Sequence, residues 1–227
     1  MRFIVILILT LVFNIAGAQT DTLVRKMQKY TPEFKFNDGI FLSFEHFRNN
    51  TPIPKARLLT ALDYNSPDFY FELIENPKIS LLDDYGLKIE INTKEIWGFS
   101  RNGTIFINWN QTFNRIPIMG AVCHFVADKT IVHDRNMYDP YYYNNPYSYY
   151  MSPQYATTSN ELRQYLLDNE TGKVMDYTYQ ALEIILMRDP ALYDEFNQLS
   201  KKKKKQLQFM YLRKYNEKHP LMVPVYN

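Results

Sequence analysis

Four residues come nearest to a metal-ligand cluster: His124, His133, Asp134 and Asp139. Imidazole and carboxylate together suit zinc, but their spacing follows no recognised metal motif. There is no His-Glu-x-x-His, and a single cysteine rules out paired thiolates. The expectation is a sheet histidine followed by a polar loop, with no metal and no cofactor. Glu72, Glu75, Asp83 and Asp84 are carboxylates of the kind a glycosidase pairs, yet any chain of this size carries such residues. No serine occupies a Gly-x-Ser-x-Gly elbow. Seven glycines scattered over 227 residues build no phosphate loop. Cys123, inside the apolar run Ala121 to Val126, reads as a buried, inert thiol rather than a nucleophile. No residue is assigned a catalytic role.

Binding chemistry has two candidates. Residues 138–155 contain eight tyrosines among eighteen positions, with Tyr141, Tyr142, Tyr143, Tyr147, Tyr149 and Tyr150 at their centre. Each ring offers an apolar face and a polar tip, which suits a sugar or a partner protein. The alternative is a long surface loop packed by its own rings, or a poorly ordered tract; prolines 140, 146 and 153 forbid regular ladders. The second candidate is the cationic run Lys201, Lys202, Lys203, Lys204 and Lys205. Residues 200–219 hold eight Lys and Arg against one Glu, a net of +7. Such a segment can meet an anionic surface, pack on acidic parts of its own chain, or form a solvated helix face. Cations at a helix N-terminus oppose the macrodipole. Either the helix begins before Ser200 or these lysines meet negative charge.

The elements that must position these groups form an α+β pattern. Residues 19–37 read as a polar, poorly structured lead-in. Ile40 to Leu42 is a short strand opened by Gly39, and Ser43 caps a short helix over Phe44 to Arg48. Residues 38–127 are β-rich, with strand-like runs at 69–74, 79–82 and 87–91. Asn102-Gly103 between two apolar runs is the strongest local signal, a two-residue hairpin turn. It pairs Phe99 with Phe106 on one face, and Gly98 with Ile107 and Ile96 with Trp109 on the other. Both faces carry large apolar groups, so the hairpin is expected to be covered on both sides. Residues 115–119 and 121–127 add two strands, the first bent or placed at an edge by Pro117. Residues 160–219 follow as a hairpin, with strands at 164–167 and 173–175, and then helices. One helix spans Tyr179 to Met187, the next is capped by Asp189-Pro190, and the last runs from about Ser200 to His219. On that last helix Leu207, Met210, Tyr211 and Tyr215 form the apolar stripe.

Residues 1–18 have the layout of a secretory signal peptide. A positive start at Arg2 precedes the apolar run Phe3 to Ile15, and Ala16-Gly17-Ala18 forms a small-residue cleavage site. Gln19 follows, not Cys, so no lipid anchor is expected. Residues 19–227 then form one mature domain with a formal net charge of +1, from 25 Lys and Arg against 24 Asp and Glu. That balance does not point to nucleic acid. No second apolar stretch approaches membrane-spanning length, so no transmembrane segment is expected in the mature chain.

Three islands of sequence resemble an uncharacterised family of exported proteins from Bacteroidota. They are Asp38-Gly39-Ile40-Phe41-Leu42-Ser43-Phe44-Glu45 with Phe47 and Asn49-Asn50, then Ile96-Trp97-Gly98-Phe99, then Tyr215-Asn216 with His219-Pro220-Leu221. The resemblance implies kinship but no activity. Asp21-Thr22-Leu23 is similar to the short O-glycosylation motif of that phylum. The expected protein is an exported, non-enzymatic cell-envelope or secreted interaction module, its partner an envelope protein or a glycan. A hydrolase or metal enzyme with an unrecognised site, or a carrier of apolar ligands, is the alternative.

Overall fold

The hairpin signalled by Asn102-Gly103 stands at the centre of the structure. The structure, a computed structural model, describes residues 26–133 and 157–225. In chain order its strands and helices are β1 (Lys26–Lys29), β2 (Gly39–Phe41), α1 (Phe44–Arg48), β3 (Leu58–Leu59), α2 (Phe69–Ile74), β4 (Lys78–Leu82) and β5 (Lys88–Asn92). There follow β6 (Gly98–Arg101), β7 (Thr104–Trp109), β8 (Thr112–Arg115), β9 (Val122–His133), β10 (Thr157–Asp168) and β11 (Val174–Asp176). The helices α3 (Tyr179–Leu186), α4 (Pro190–Asn197) and α5 (Lys201–Lys218) come next, and β12 (Met222–Val225) closes the chain. The strands form four antiparallel sheets, ordered β1-β12, β11-β10-β9, β2-β6-β7-β8 and β3-β4-β5. The architecture is α+β.

Alternation along the central strands divides the interior into layers. In the sheet β2-β6-β7-β8, Ile40 and Phe99 face a core shared with α2 and the β3-β4-β5 sheet. Phe41, Ile105 and Ile107 face the opposite way, into a core completed by Cys123, Phe125, Tyr165 and Leu167 of β9 and β10. The other face of β9 and β10 presents Val122 and Leu166 to α3, α4 and α5. The hairpin is thus covered on both sides, as its two apolar faces require. Phe99 opposes Phe106 and Gly98 opposes Ile107. The ladder stops at Gly98, and Ile96 lies beyond it at the end of a 3-10 turn.

Asn102 and Gly103 have φ of 51° and 75°, the left-handed pair that a two-residue turn of this hand demands. Asp38 fixes the turn from outside, its Oδ1 accepting from Gly103 N at 3.1 Å and from the Ser100 hydroxyl at 3.4 Å. A Cβ at Gly103 would sit 2.8 Å from Lys35 Cβ and 2.9 Å from Lys35 Cα. Gly103→Val therefore suffers both backbone strain and collision. It should lower stability by about 1–3 kcal/mol, read as a drop in the melting temperature. An unchanged melt would remove the turn from its central place.

Several expectations are corrected. Residues 69–74 form helix α2, not a strand, because Phe69, Tyr70 and Leu73 then bury together on one side. The stretch before Asp38 is not a loose lead-in over its described part. Lys26–Lys29 pairs with Met222–Val225, and Phe36 is buried with Tyr30 and Phe34 packed around it. Strand β8 covers 112–115, and past it Ile118 makes only a single bridge, to His124. Strand β9 runs well beyond residue 127, held by twelve consecutive pairs with β10. On α5 the buried residues are Lys204, Tyr211, Leu212 and Tyr215, while Met210 is exposed. At about 100° per residue, Met210 falls on the far side from the Tyr211–Tyr215 line.

The caps read from sequence are present: Ser43 accepts from His46 N and Asp189 from Leu192 N. Ser200 adds a further cap, accepting from Lys203 N. The β10-β11 hairpin pairs Leu167 with Val174. Among the described residues no helix is long and apolar enough to cross a membrane.

Candidate functional site

Five parts of the fold meet around a cavity of about 400 Å³. One wall is the β1-β12 ribbon with the chain leading into it, presenting Met27, Leu221, Met222 and Pro224. Helix α1 contributes Glu45 and Arg48. The turn after β10 adds Asp168, Asn169 and Glu170, and the helical layer adds Arg188 and Tyr215. Helix α5 is docked there by Asn216, which behaves like a strand residue: its Oδ1 accepts from Val122 N at 2.9 Å and its Nδ2 donates to Val122 O at 2.8 Å. Asp189 ties the same end of α5 to the start of α4 through Lys218 at 2.7 Å and His219 at 2.9 Å. Those two partners, with the Leu192 N–H, hold the Asp189 carboxyl well below the usual carboxylate range.

The centre of the site is Asp168 with Arg188. Asp168 is buried and receives Arg188 bidentately, Nη1 to Oδ1 at 2.9 Å and Nη2 to Oδ2 at 2.7 Å. Glu170 N and the Thr171 hydroxyl donate to the same carboxylate. Burial raises the Asp168 pKa, but Arg188, Thr171 and the Glu170 N–H outweigh it and leave the carboxyl below its ordinary range. Arg188 is held still more firmly protonated by Asp168, and its side chain is also hydrogen-bonded to Tyr215. A second carboxylate, Glu170, meets Arg188 Nη1 at 3.0 Å from a largely exposed position. Asn169 donates to Gly120 O at 2.6 Å and to Cys123 Sγ at 3.0 Å. Its Oδ1 is buried and has no partner among the described residues.

The tyrosines 138–155 and Asp134 and Asp139 fall outside the described residues. His133 ends β9, opposite Thr157. His124 is buried, its Nε2 at 2.9 Å from Gln164 Oε1 and its ring edge-on to Tyr177. Among the described residues no group of three or more His, Cys, Asp or Glu is placed to hold a metal ion. The Cys123 thiol is fully buried beside Met119 and Gly120, and burial pushes it up to about 11. Glu72 accepts from the Ser66 hydroxyl. Asp83 accepts from Tyr85 N and Leu87 N and so shapes the β4-β5 turn. Asp84 pairs with Arg57 at 2.8 Å. Asp83 and Asp84 line a second cavity of about 320 Å³, but neither Glu72 nor Glu75 does.

Of the lysine run, Lys201, Lys202, Lys203 and Lys205 are exposed, whereas Lys204 is buried. Helix α5 starts at Lys201, and the negative charge is supplied by Glu183 at 2.8 Å, with Asn197 Oδ1 also at 2.8 Å. Lys204→Gln should cost about 1–2 kcal/mol, because Glu183 and Asn197 lose their shared donor. Lys202→Gln should stay within about 0.5 kcal/mol. Equal urea midpoints for the two variants would show that the Lys204 pair contributes nothing.

The sequence offered little warning of the cavity. Asp168 to Gly172 was legible as a turn, and Asp189 as a cap one residue from Arg188. Nothing local marks Arg188 as the partner of a carboxylate twenty positions earlier. The model for a family of unknown function (DUF6563) matches residues 39–219. The chain belongs to that family. The match includes the cavity residues from Glu45 to Tyr215 and leaves out the ribbon wall formed by Met27, Pro220, Leu221, Met222 and Pro224. No curated protein and no solved structure matches the chain. The islands noted in the sequence fall at joints of this chain's fold. Asp38 holds the hairpin turn, Trp97 stacks on Phe47 at 4.5 Å, and Asn216 docks α5 on β9.

Proposed function

We propose that the chain is an exported, non-enzymatic interaction module of the cell envelope or secreted space. Its ligand or partner site is the cavity between the β1-β12 ribbon, α1 and the turn after β10. The observation that carries this reading is the state of the cavity's charges. Asp168 is saturated by four donors and held ionised, and Arg188 is held protonated by it. Catalytic acids and bases need pKa values near the working pH. These groups are pushed away from it, which suits holding a partner rather than moving a proton. Cys123 is likewise too buried and too weakly acidic to act as a nucleophile.

Export rests on the leader at residues 1–18, with cleavage between Ala18 and Gln19. N-terminal sequencing of protein recovered outside the cytoplasm checks it, and a retained Phe3 to Ile15 would reject it. The interaction reading is tested by passing envelope material over immobilised residues 19–227. The wild-type protein should retain a component that Arg48→Met or Glu170→Gln loses, with melting temperatures unchanged. Equal retention by wild type and both variants would reject the site. Turnover of an ester, glycoside or peptide panel by wild type would reject the non-enzymatic reading.

A further inference from the structure

We propose that this cavity takes a neutral sugar ring; the inference rests on the interaction reading above and names its ligand chemistry. The lining divides by element. The β1-β12 ribbon and the chain leading into it supply apolar Met27, Leu221, Met222 and Pro224, whereas α1, the turn after β10 and the helical layer supply Glu45, Arg48, Asn169, Glu170, Arg188 and Tyr215. A pyranose has the same division, with C–H groups on its faces and hydroxyls around its edge.

The charge arrangement discriminates between ligand classes. Three carboxylates, Glu45, Asp168 and Glu170, face two guanidinium groups, Arg48 and Arg188. Each guanidinium already meets a carboxylate: Arg188 meets Asp168 and Glu170, and Arg48 lies 3.9 Å from Glu45. A phosphate or free carboxylate would enter a site with one excess negative charge and would compete with Asp168 and Glu170 for Arg188. A compact cation would gain from only that one excess charge, because the carboxylates are already engaged. A hydroxyl donates and accepts at once. Adjacent hydroxyls can therefore donate to Glu170 and accept from Arg188 without breaking their contact. The volume of about 400 Å³ lies within the range of small-ligand pockets.

The test is an NMR or calorimetric titration of residues 19–227 with four probes. These are neutral monosaccharides and β-linked disaccharides of glucose, galactose and N-acetylglucosamine; inorganic phosphate; glucuronate; and a neutral tripeptide. A neutral sugar should bind saturably with a dissociation constant at or below about 1 mM, shifting the amides of Asn169 and Glu170. Glu170→Gln and Arg48→Met should each weaken that binding about tenfold, the loss expected for one charge-assisted hydrogen bond. The melting temperature reports that both variants still fold. Preference for phosphate, glucuronate or the tripeptide would overturn the sugar assignment, as would sugar binding indifferent to both variants. If envelope retention depends on Glu170 while no sugar binds, the sugar inference falls and the interaction reading stands. If neither retention nor sugar binding depends on Glu170 or Arg48, both fall.

Discussion

Replacing Phe99 with alanine is expected to destabilise the protein by about 3–5 kcal/mol. For a chain of this length each kcal/mol is worth about 2–4 °C, so the melting temperature should fall by about 6–20 °C. Phe99 is wholly buried at the middle of an aromatic cluster. It stacks on Phe106 with centroids 4.8 Å apart and on Tyr70 at 5.6 Å, and it meets Phe71 edge-on at 5.4 Å. Cutting back this ring leaves a hole whose lining is other rings, anchored on α2 and β7 and poorly able to collapse into it. The same side chain divides the cores, since its strand carries Ser100 to the opposite face. Phe99→Leu keeps most of the volume and should lose less than half as much. Chemical denaturation of both variants decides the matter. A loss below about 1 kcal/mol for Phe99→Ala would mean that the hairpin does not carry the packing of this layer.

What was legible in the sequence was local. Asn102-Gly103, Ser43, Asp189-Pro190 and the Leu167–Val174 hairpin each declare themselves within a few residues, because turns and caps are satisfied by their own neighbours. What misled was what the rest of the chain decides. Phe69 to Ile74 is aromatic and branched enough for a strand, yet the run is too short for periodicity to separate strand from buried helix. Lys26–Lys29 shows no alternation because all four side chains are exposed. That strand exists through backbone pairing with the far end of the chain. Lys204 looks like its four neighbours until Glu183 of α3 is placed beside it. The cavity is the extreme case. Its residues come from β1, α1, the β10 turn, the α3–α4 junction, α5 and β12. Its five charged groups fall in sequence as Glu45 with Arg48, Asp168 with Glu170, and Arg188 alone. The tyrosine segment was prominent in sequence for composition alone, whereas the cavity is prominent only in three dimensions.

The Asp168–Arg188 ion pair in its lining gives the second large effect. Asp168→Asn should cost about 2–3 kcal/mol, somewhat less than a fully buried pair because Arg188 is partly exposed and keeps Glu170. The substitution removes the charge while keeping shape, so the loss reports electrostatics rather than a cavity. Its pH dependence identifies the mechanism. The Asp168 carboxyl sits below its ordinary range in the folded protein. A depressed folded pKa means that the stabilisation is complete above the unfolded-state value, about 4 for aspartate. It is then lost as pH falls through the folded value, because the unfolded chain takes up the proton first. Wild type should therefore lose stability on acidification below about pH 4 more steeply than Asp168→Asn, and the gap between them should narrow. Asp189, also held low by Lys218 and His219, titrates in both proteins and cancels in the difference. Urea denaturation of the pair at neutral pH and at a series of acid pH values measures the gap. A gap that stays constant on acidification would show that Asp168 acts as a hydrogen-bonding shape, which asparagine nearly reproduces, and would take from Arg188 the fixed charge on which the cavity depends.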